Sequence, residues 1–487
     1  MDIAIVVVYL FVILLVGLRR GYRTNNIRDF AVGDKNFGFP VLLATISATY
    51  IGGGSTLGDT ERIYTMGILY AIVCIAYSSL FKFIITFVIT PKFKNLQKHI
   101  SFGEVMGEYY GENAKIISGL FGTLRCIGTL GSQTVGLGFI FHFFLGTSFE
   151  LAVIFSAGIL VLYTAFGGIR AVAATDFIQF FSLIIGIVVI ANCALIAVGG
   201  YEALWKNLPE SKTVIFSDSA LFWENVSMFF ILSAPFLNPA HIQRLLLSND
   251  IRKTQKSMFY SFLMDPVFFF LIACIGLSSI ILFPAVDPRL AMLTLIKEVI
   301  PSPFLKGICL AGLISVIMST ADSYLNSATV AFFNDFILPI RKKNFTPLTE
   351  MWLVRAITLF IGISSIFVAL YFRNLIDIVI AFTSFWGTFM FIPFMAGLYN
   401  LKASSKSFWA STILGIPSFL IWAHYFQSQT HIRAIVPGLI MSSIGFFSIY
   451  FIERMSGKIR REKRTFTERD VIKKKKVWLS PTHNCSL

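Results

Sequence analysis

The sequence predicts an all-α polytopic membrane protein with about 13 transmembrane helices, ten of them forming a five-plus-five inverted-repeat core. Three observations point to that class. Of 487 residues, 56% are hydrophobic and 14% charged, where soluble domains carry roughly 25% charged residues. The apolar residues fall into runs long enough to cross a bilayer as helices, which takes roughly 20 residues each. Between the runs, linkers rich and poor in lysine and arginine alternate, the asymmetry that orients spanning helices.

Taken in order, the spans cover 2–18, 38–58, 66–90, 116–142, 149–167, 172–198, 221–243, 258–283, 303–332, 351–372, 375–399, 407–426 and 434–452. The first run is followed, not preceded, by its charges, Arg19 and Arg20, and lacks a small-residue cleavage site. It is therefore expected to stay as a span and not to be removed as a signal peptide. One set of linkers carries Arg28 and Lys35, then Lys92, Lys94 and Lys98, then Arg170, Arg244, Arg252 and Lys253, then Arg341, then Lys402 and Lys406. That side is expected to be cytoplasmic, with the N-terminus outside and the C-terminus inside. The formal net charge of +15 is absorbed by this topology, so no nucleic-acid partner is expected. The six cysteines lie in apolar runs or the tail and are expected to be free thiols.

These limits divide the chain into an extra span and loop (1–35), a first five-helix repeat (36–200), a second inverted repeat (201–400), two C-terminal spans (401–454) and a basic tail (455–487). Each repeat opens on an interrupted helix. The first contains Ser47-Ala48-Thr49-Tyr50-Ile51-Gly52-Gly53-Gly54-Ser55, the second Ser233-Ala234-Pro235 and Asn238-Pro239. Glycine costs a helix about 1 kcal/mol relative to alanine, and proline removes a helix hydrogen bond. Unwound backbone at membrane depth persists only where protein or a water-filled cavity surrounds it. Paired interruptions in two inverted halves mark the place where carriers hold ion and solute; close packing of small residues is the bland alternative.

Two further strings carry polar groups into apolar runs. Ser315, Ser319, Asp322 and Ser323 share one face of the ninth span by helical spacing. A carboxylate among hydroxyls is costly in hydrocarbon unless it faces a partner or a pathway, and hard oxygen ligands suit small hard cations; hydroxyls bonded back to their own helix are the alternative. Asp176, at the start of the sixth span after the Gly167-Gly168 turn, is read either as a charge stabilising a helix N-terminus or as an ion ligand.

At these residues the chain resembles the sodium/solute symporter family, which has the leucine-transporter-like fold. The resemblance rests on the string from Gly167 to Gln179, the Met318-Ser319-Thr320-Ala321-Asp322-Ser323 string, and Gln243-Arg244 in the loop after the seventh span; it covers about residues 5–400. The Ala48–Gly54 segment is similar to the choline-carrier branch, Thr49-Tyr50 to pantothenate carriers, and Arg125 to an arginine of sialic-acid carriers. The resemblance implies a main sodium site built from the carbonyls of Ala48, Ile51 and Val316 with the hydroxyls of Ser319 and Thr320. It implies for some members a second ion at Asp176, Asp322 and Ser323, with Ser319 shared, though Asp322 stands where those members have serine.

The solute is expected beside the broken helix, against Tyr50, Gly52, Ser55, Thr56, Arg125 and Gln133. Arg125 is read as a clamp for a solute carboxylate, or as half of a structural pair with Glu224 or Asp322. Asp59-Thr60-Glu61-Arg62 is read as a polar cluster at the outer rim. The expectation is sodium-coupled symport of a small organic solute by a plasma (inner) membrane carrier, with lipid as surroundings, sodium as co-substrate, no cofactor and no need of more than a monomer. Its rivals are proton coupling through Asp176 or Asp322, and a solute sensor that transports nothing.

Overall fold

The computed structural model describes residues 2–456 apart from 22, 23, 25, 214–224, 227, 230, 233–236, 342–344, 373 and 431. Among the described residues the chain is helical, and its sole β-bridge joins Asn36 to Ser248. Among the described residues eight helices are long and apolar enough to cross a membrane, and ten if each of two bent pairs is one span. Of the expected seventh span, Ser233-Ala234-Pro235 lie outside the described residues.

The principal helices run α1 (Asp2–Gly21), α2 (Ile27–Val32), α3 (Phe39–Tyr50), α4 (Asp59–Met66), α5 (Ile68–Phe83), α6 (Phe102–Tyr110), α7 (Glu112–Leu145) and α8 (Phe149–Val198). They continue as α9 (Pro239–Leu245), α10 (Ile251–Leu282), α11 (Ala291–Val299), α12 (Pro303–Val330), α13 (Pro347–Phe372), α14 (Leu375–Leu398), α15 (Ser405–Ile421) and α16 (Ile435–Met455). α7 turns into α8 through 119°. α8 carries two spans as one continuous run, broken where Gly168 takes φ 55°. A side chain there would be strained by that φ, and its Cβ would also meet Phe30 at 3.0 Å.

The two ends of the burial scale show how the helices are arranged. α1 exposes Val7, Val8, Phe11 and Leu15 while burying Ile13, the pattern of a helix with one face to lipid. α12 buries every residue from Cys309 to Val330. A helix covered on all sides sits at the centre of the bundle, and its polar residues must find partners within the protein. Around it pack α1, α3, α7, α8, α9 and α13.

In the Asp59–Arg62 cluster, Asp59 and Thr60 are buried and Glu61 and Arg62 half-buried. Asp59 is 3% exposed and accepts hydrogen bonds from Tyr70 at 2.9 Å and Tyr77 at 2.8 Å, so it ties α4 to α5. Arg62 reaches Asp377 at 3.7 Å on α14.

Candidate functional site

The helix begun by α3 stops at Tyr50. Ile51 is extended at φ −105° and ψ 118°, and the chain resumes as a wide-turned segment, Gly54–Gly58, leading into α4. The two halves meet at 56°. The break frees carbonyls that a continuous helix would consume, and α12 lies directly against them. Thr320 Oγ1 lies 3.0 Å from the carbonyl oxygen of Ala48, 2.6 Å from that of Ile51 and 3.3 Å from that of Val316, with one proton to donate among the three. Ser319 Oγ lies 3.4 Å from the Ala48 carbonyl and 3.1 Å from that of Val316. All five residues expected at the main sodium site therefore meet, and each contributes a neutral oxygen.

Glycine at 52 is a condition of this approach. A Cβ there would stand 2.9 Å from both Thr320 Oγ1 and Gln133 Oε1, so a side chain would push α7 and α12 off the break. Gln133 stabilises the unwound turn directly, accepting the Gly53 N–H at 2.7 Å. Thr56 turns its hydroxyl back to Gly52 O at 3.1 Å, and Ser55 is half-buried in the same turn.

The residues expected at a second ion cluster one helical turn away. Thr45 donates a short hydrogen bond to Asp176 Oδ2, while Asp176 Oδ1 is buried without a hydrogen-bond partner. Asp176 thus lies inside α8, facing α3. Asp322 is wholly buried on α12. Ser323 Oγ is 3.0 Å from Thr49 Oγ1. One feature of this cluster was not legible in the linker pattern. Arg244, counted above with the cytoplasmic charges and placed in a loop, is completely buried on α9. Its Nε donates to Thr49 Oγ1 at 2.9 Å and one terminal nitrogen donates to Ser323 Oγ. Asp176 and Asp322 both lie within its electrostatic reach.

On the solute side Tyr50 stacks on His241, with ring centroids 4.2 Å apart and planes 9° from parallel. Lys82 Nζ sits 3.8 Å over the same tyrosine ring and 3.6 Å from Asp265. Arg125, 4% exposed, donates to Thr129 on its own helix and lies 6.0 Å from the Tyr324 ring. It pairs with no carboxylate among the described residues, and Glu224 lies outside them. Asn238, which caps α9, holds Tyr324 Oη at 2.8 Å. His241, Lys82 and Asp265 escaped the sequence reading, although Lys82 and Asp265 are charges inside apolar runs, the same signal that drew attention to Asp322. Among the described residues no cluster of three or more His, Cys, Asp or Glu side chains forms a metal site.

Interrupted helices, freed main-chain oxygens against a hydroxyl-bearing central helix, and ionisable groups turned inward define a secondary carrier. Comparison with known proteins places it more closely. The Sodium:solute symporter family matches residues 30–415, and the chain belongs to that family: it is a multi-pass integral membrane protein that moves a small solute together with sodium. A sodium/proline symporter of Staphylococcus aureus is 22% identical over 489 residues, covering 96% of this chain and 94% of its own. A Na+-coupled sialic acid symporter in its substrate-bound outward-open state superposes with TM-score 0.76 at 20% identity, covering 93% of this chain and 97% of that one. Mhp1, a nucleobase-cation-symport-1 family transporter in a closed conformation, gives 0.56 at 13% identity over 90% of this chain and 96% of its own. At these identities the solved structures speak for the fold.

Proposed function

We propose that sodium binds between α3 and α12, on the carbonyls of Ala48, Ile51 and Val316 and the hydroxyls of Ser319 and Thr320, and that its binding completes the solute site for alternating access. The observation that carries this reading is the convergence of Thr320 Oγ1 on the Ala48 and Ile51 carbonyls at 3.0 and 2.6 Å. Carbonyl and hydroxyl oxygens are hard ligands suited to a hard cation. A site of neutral oxygens binds weakly enough to release its ion on each cycle, and a cation there holds the broken helix against α12. Tyr50, Gly52, Ser55, Thr56, Arg125 and Gln133 surround the solute, beside the break and near the midplane. The carrier works as a monomer in the plasma membrane, N-terminus outside and C-terminus inside, the basic linkers facing anionic lipid.

Asp176, Asp322 and Ser323 form the second cation cluster of this reading. Arg244 supplies a fixed positive charge there, since Ser323 and Thr49 both accept its hydrogen bonds. The main site by itself couples one sodium per solute. One charge crossing 100 mV releases about 2.3 kcal/mol and a tenfold sodium gradient about 1.4 kcal/mol. Together they support roughly 500-fold accumulation of a neutral solute. Sodium titration of thermal unfolding tests the assignment, with the Ser319→Ala, Thr320→Ala double variant as its control. Loss of the sodium response in that variant is expected; an undiminished response moves the ion elsewhere.

A further inference from the structure

A cavity of about 1040 Å³ lies between α1, α3 and α8, outside the sodium and solute sites. Its lining combines guanidinium groups with apolar side chains, and helical spacing orders the two along each helix. On α1, Arg19 and Arg20 stand in the last turn, with Val16 one turn deeper on the same face. On α8, Arg170 follows the Gly168 break by two residues, and Ala173, Ala174, Phe177 and Ile178 continue its face into the span. α3 adds Val41 to the apolar part. Both helices therefore present positive charge at a helix boundary and hydrocarbon beyond it.

The guanidinium groups are poorly answered by the protein itself. Arg170 Nε is buried without a hydrogen-bond partner, and a terminal nitrogen of Arg170 lies 4.0 Å from Asp34, whose side chain is 62% exposed. An exposed pair at that separation holds little. Asp34 is the one carboxylate in the lining, against three guanidinium groups. The next acids along the chain and across from it are engaged elsewhere: Asp29 accepts from Asn26, and Glu350 accepts the Ile27 N–H. Arg19 and Arg20 also suit the negative end of the α1 dipole. That role does not require Arg170 of another helix to converge on the same cavity.

The apolar part runs out to the lipid-facing surface. Phe177 is followed at helical spacing by Phe181 and Ile185, and Val16 adjoins Leu15 and Leu18; all four of these neighbours are exposed. A small soluble phosphate would satisfy the arginines and leave this strip bare. Arginine forks match phosphate oxygens, and basic pockets between spanning helices take acidic lipid headgroups. We propose that the cavity is a binding site for an anionic phospholipid of the surrounding leaflet. Arg19, Arg20 and Arg170 hold its phosphodiester, Asp34 accepts from a headgroup hydroxyl, and its acyl chains lie along Val16, Phe177 and Phe181. The bound lipid joins α1 to α3 and α8, and its site does not depend on where sodium binds.

The test is thermal unfolding of the full-length protein in a neutral detergent, with native mass spectrometry to count retained lipid. The probes are dioleoyl phosphatidylglycerol, dioleoyl phosphatidylcholine, glycerol 3-phosphate and inorganic phosphate. Phosphatidylglycerol is expected to raise the unfolding midpoint and to stay on the chain in the spectrometer, while the other three do neither. The triple variant Arg19→Gln, Arg20→Gln, Arg170→Gln should weaken the phosphatidylglycerol response roughly fivefold for each arginine, on the order of 100-fold in all. The double variant Lys402→Gln, Lys406→Gln, which neutralises a different basic linker, should leave it intact. Val16→Trp fills the cavity and keeps every charge, so it should weaken the response even if the triple variant does not fold. Phosphatidylcholine or a soluble phosphate that stabilises as well as phosphatidylglycerol overturns the proposal. So does an equal loss in the lysine variant, or an undiminished response in Val16→Trp. A wild-type protein that answers phosphatidylglycerol but not sodium would remove the sodium site and leave this one standing.

Discussion

Thr320→Val is the sharpest perturbation of the cation site, because it removes one oxygen and keeps the shape. The hydroxyl now answers three carbonyls, those of Ala48, Ile51 and Val316. The first two belong to the broken helix and lose the partner that replaces their helical amides. A buried acceptor left unsatisfied costs about 1–3 kcal/mol, so the protein without sodium should unfold several degrees lower. The effect on sodium is separable: losing one of five oxygens, at about 1.5–3 kcal/mol for a hydrogen-bond-like contact to a charge, raises the sodium dissociation constant roughly 10- to 100-fold. The assay is the sodium dependence of the unfolding midpoint, paired with the half-saturating sodium concentration for uptake in proteoliposomes. Thr329→Val is the matched control. Its hydroxyl bonds to Leu325 O at 2.9 Å on the same helix and approaches Thr358, away from the break, so it should lower stability without moving sodium affinity. Equal sodium affinity in Thr320→Val and wild type would refute the reasoning; so would an equal loss in both valine variants.

Three other outcomes follow from the geometry. Gly52→Ala places a Cβ 2.9 Å from Thr320 Oγ1 and Gln133 Oε1, and should reduce sodium-dependent stabilisation at least tenfold in apparent affinity; Gly54→Ala, with open space around its Cβ, should not. Arg244→Met removes the guanidinium from two buried carboxylates and should destabilise by about 3–5 kcal/mol, with Asp176→Asn in the same chain recovering part of the loss in a thermal melt. At the linker before α6, His99 sits between Glu104 and Glu108. Burial opposes the charge on His99, but both carboxylates outweigh it and raise its pKa. Burial likewise opposes charge on Glu104, yet His99 and Lys115 pull it down to about 2, and the His99 hydrogen bond draws Glu108 down to about 2. The histidine contribution is complete below the unfolded histidine pKa and vanishes as pH rises through the raised value. The carboxylate contribution is present above the ordinary glutamate range and vanishes as pH falls towards 2. Stability from this cluster should therefore peak in mildly acidic buffer, and His99→Gln should flatten that peak in melts recorded across pH.

What the sequence made readable follows a single physical rule. Residues that are expensive in hydrocarbon declare themselves, provided they are examined one at a time against their apolar surroundings. Gly52-Gly53-Gly54 and the Ser319–Ser323 string did so, and the structure brings them into contact. The same rule covers Lys82 and Asp265, each inside an apolar run as Asp322 and Arg125 are. Arg244 was hidden for a different reason. Loop arginines orient a membrane protein by their number on each side, and such a count treats every arginine as solvated. Asn238 starts α9 and Pro239 occupies its first turn, which brings the helix back into the bundle and carries Arg244 inward to Thr49 and Ser323. The pairing itself, α9 against α3 and α12, is a long-range contact that no local pattern encodes. The consequence is electrostatic as well as topological: a guanidinium donating to Thr49 and Ser323 is a fixed positive charge inside the bundle.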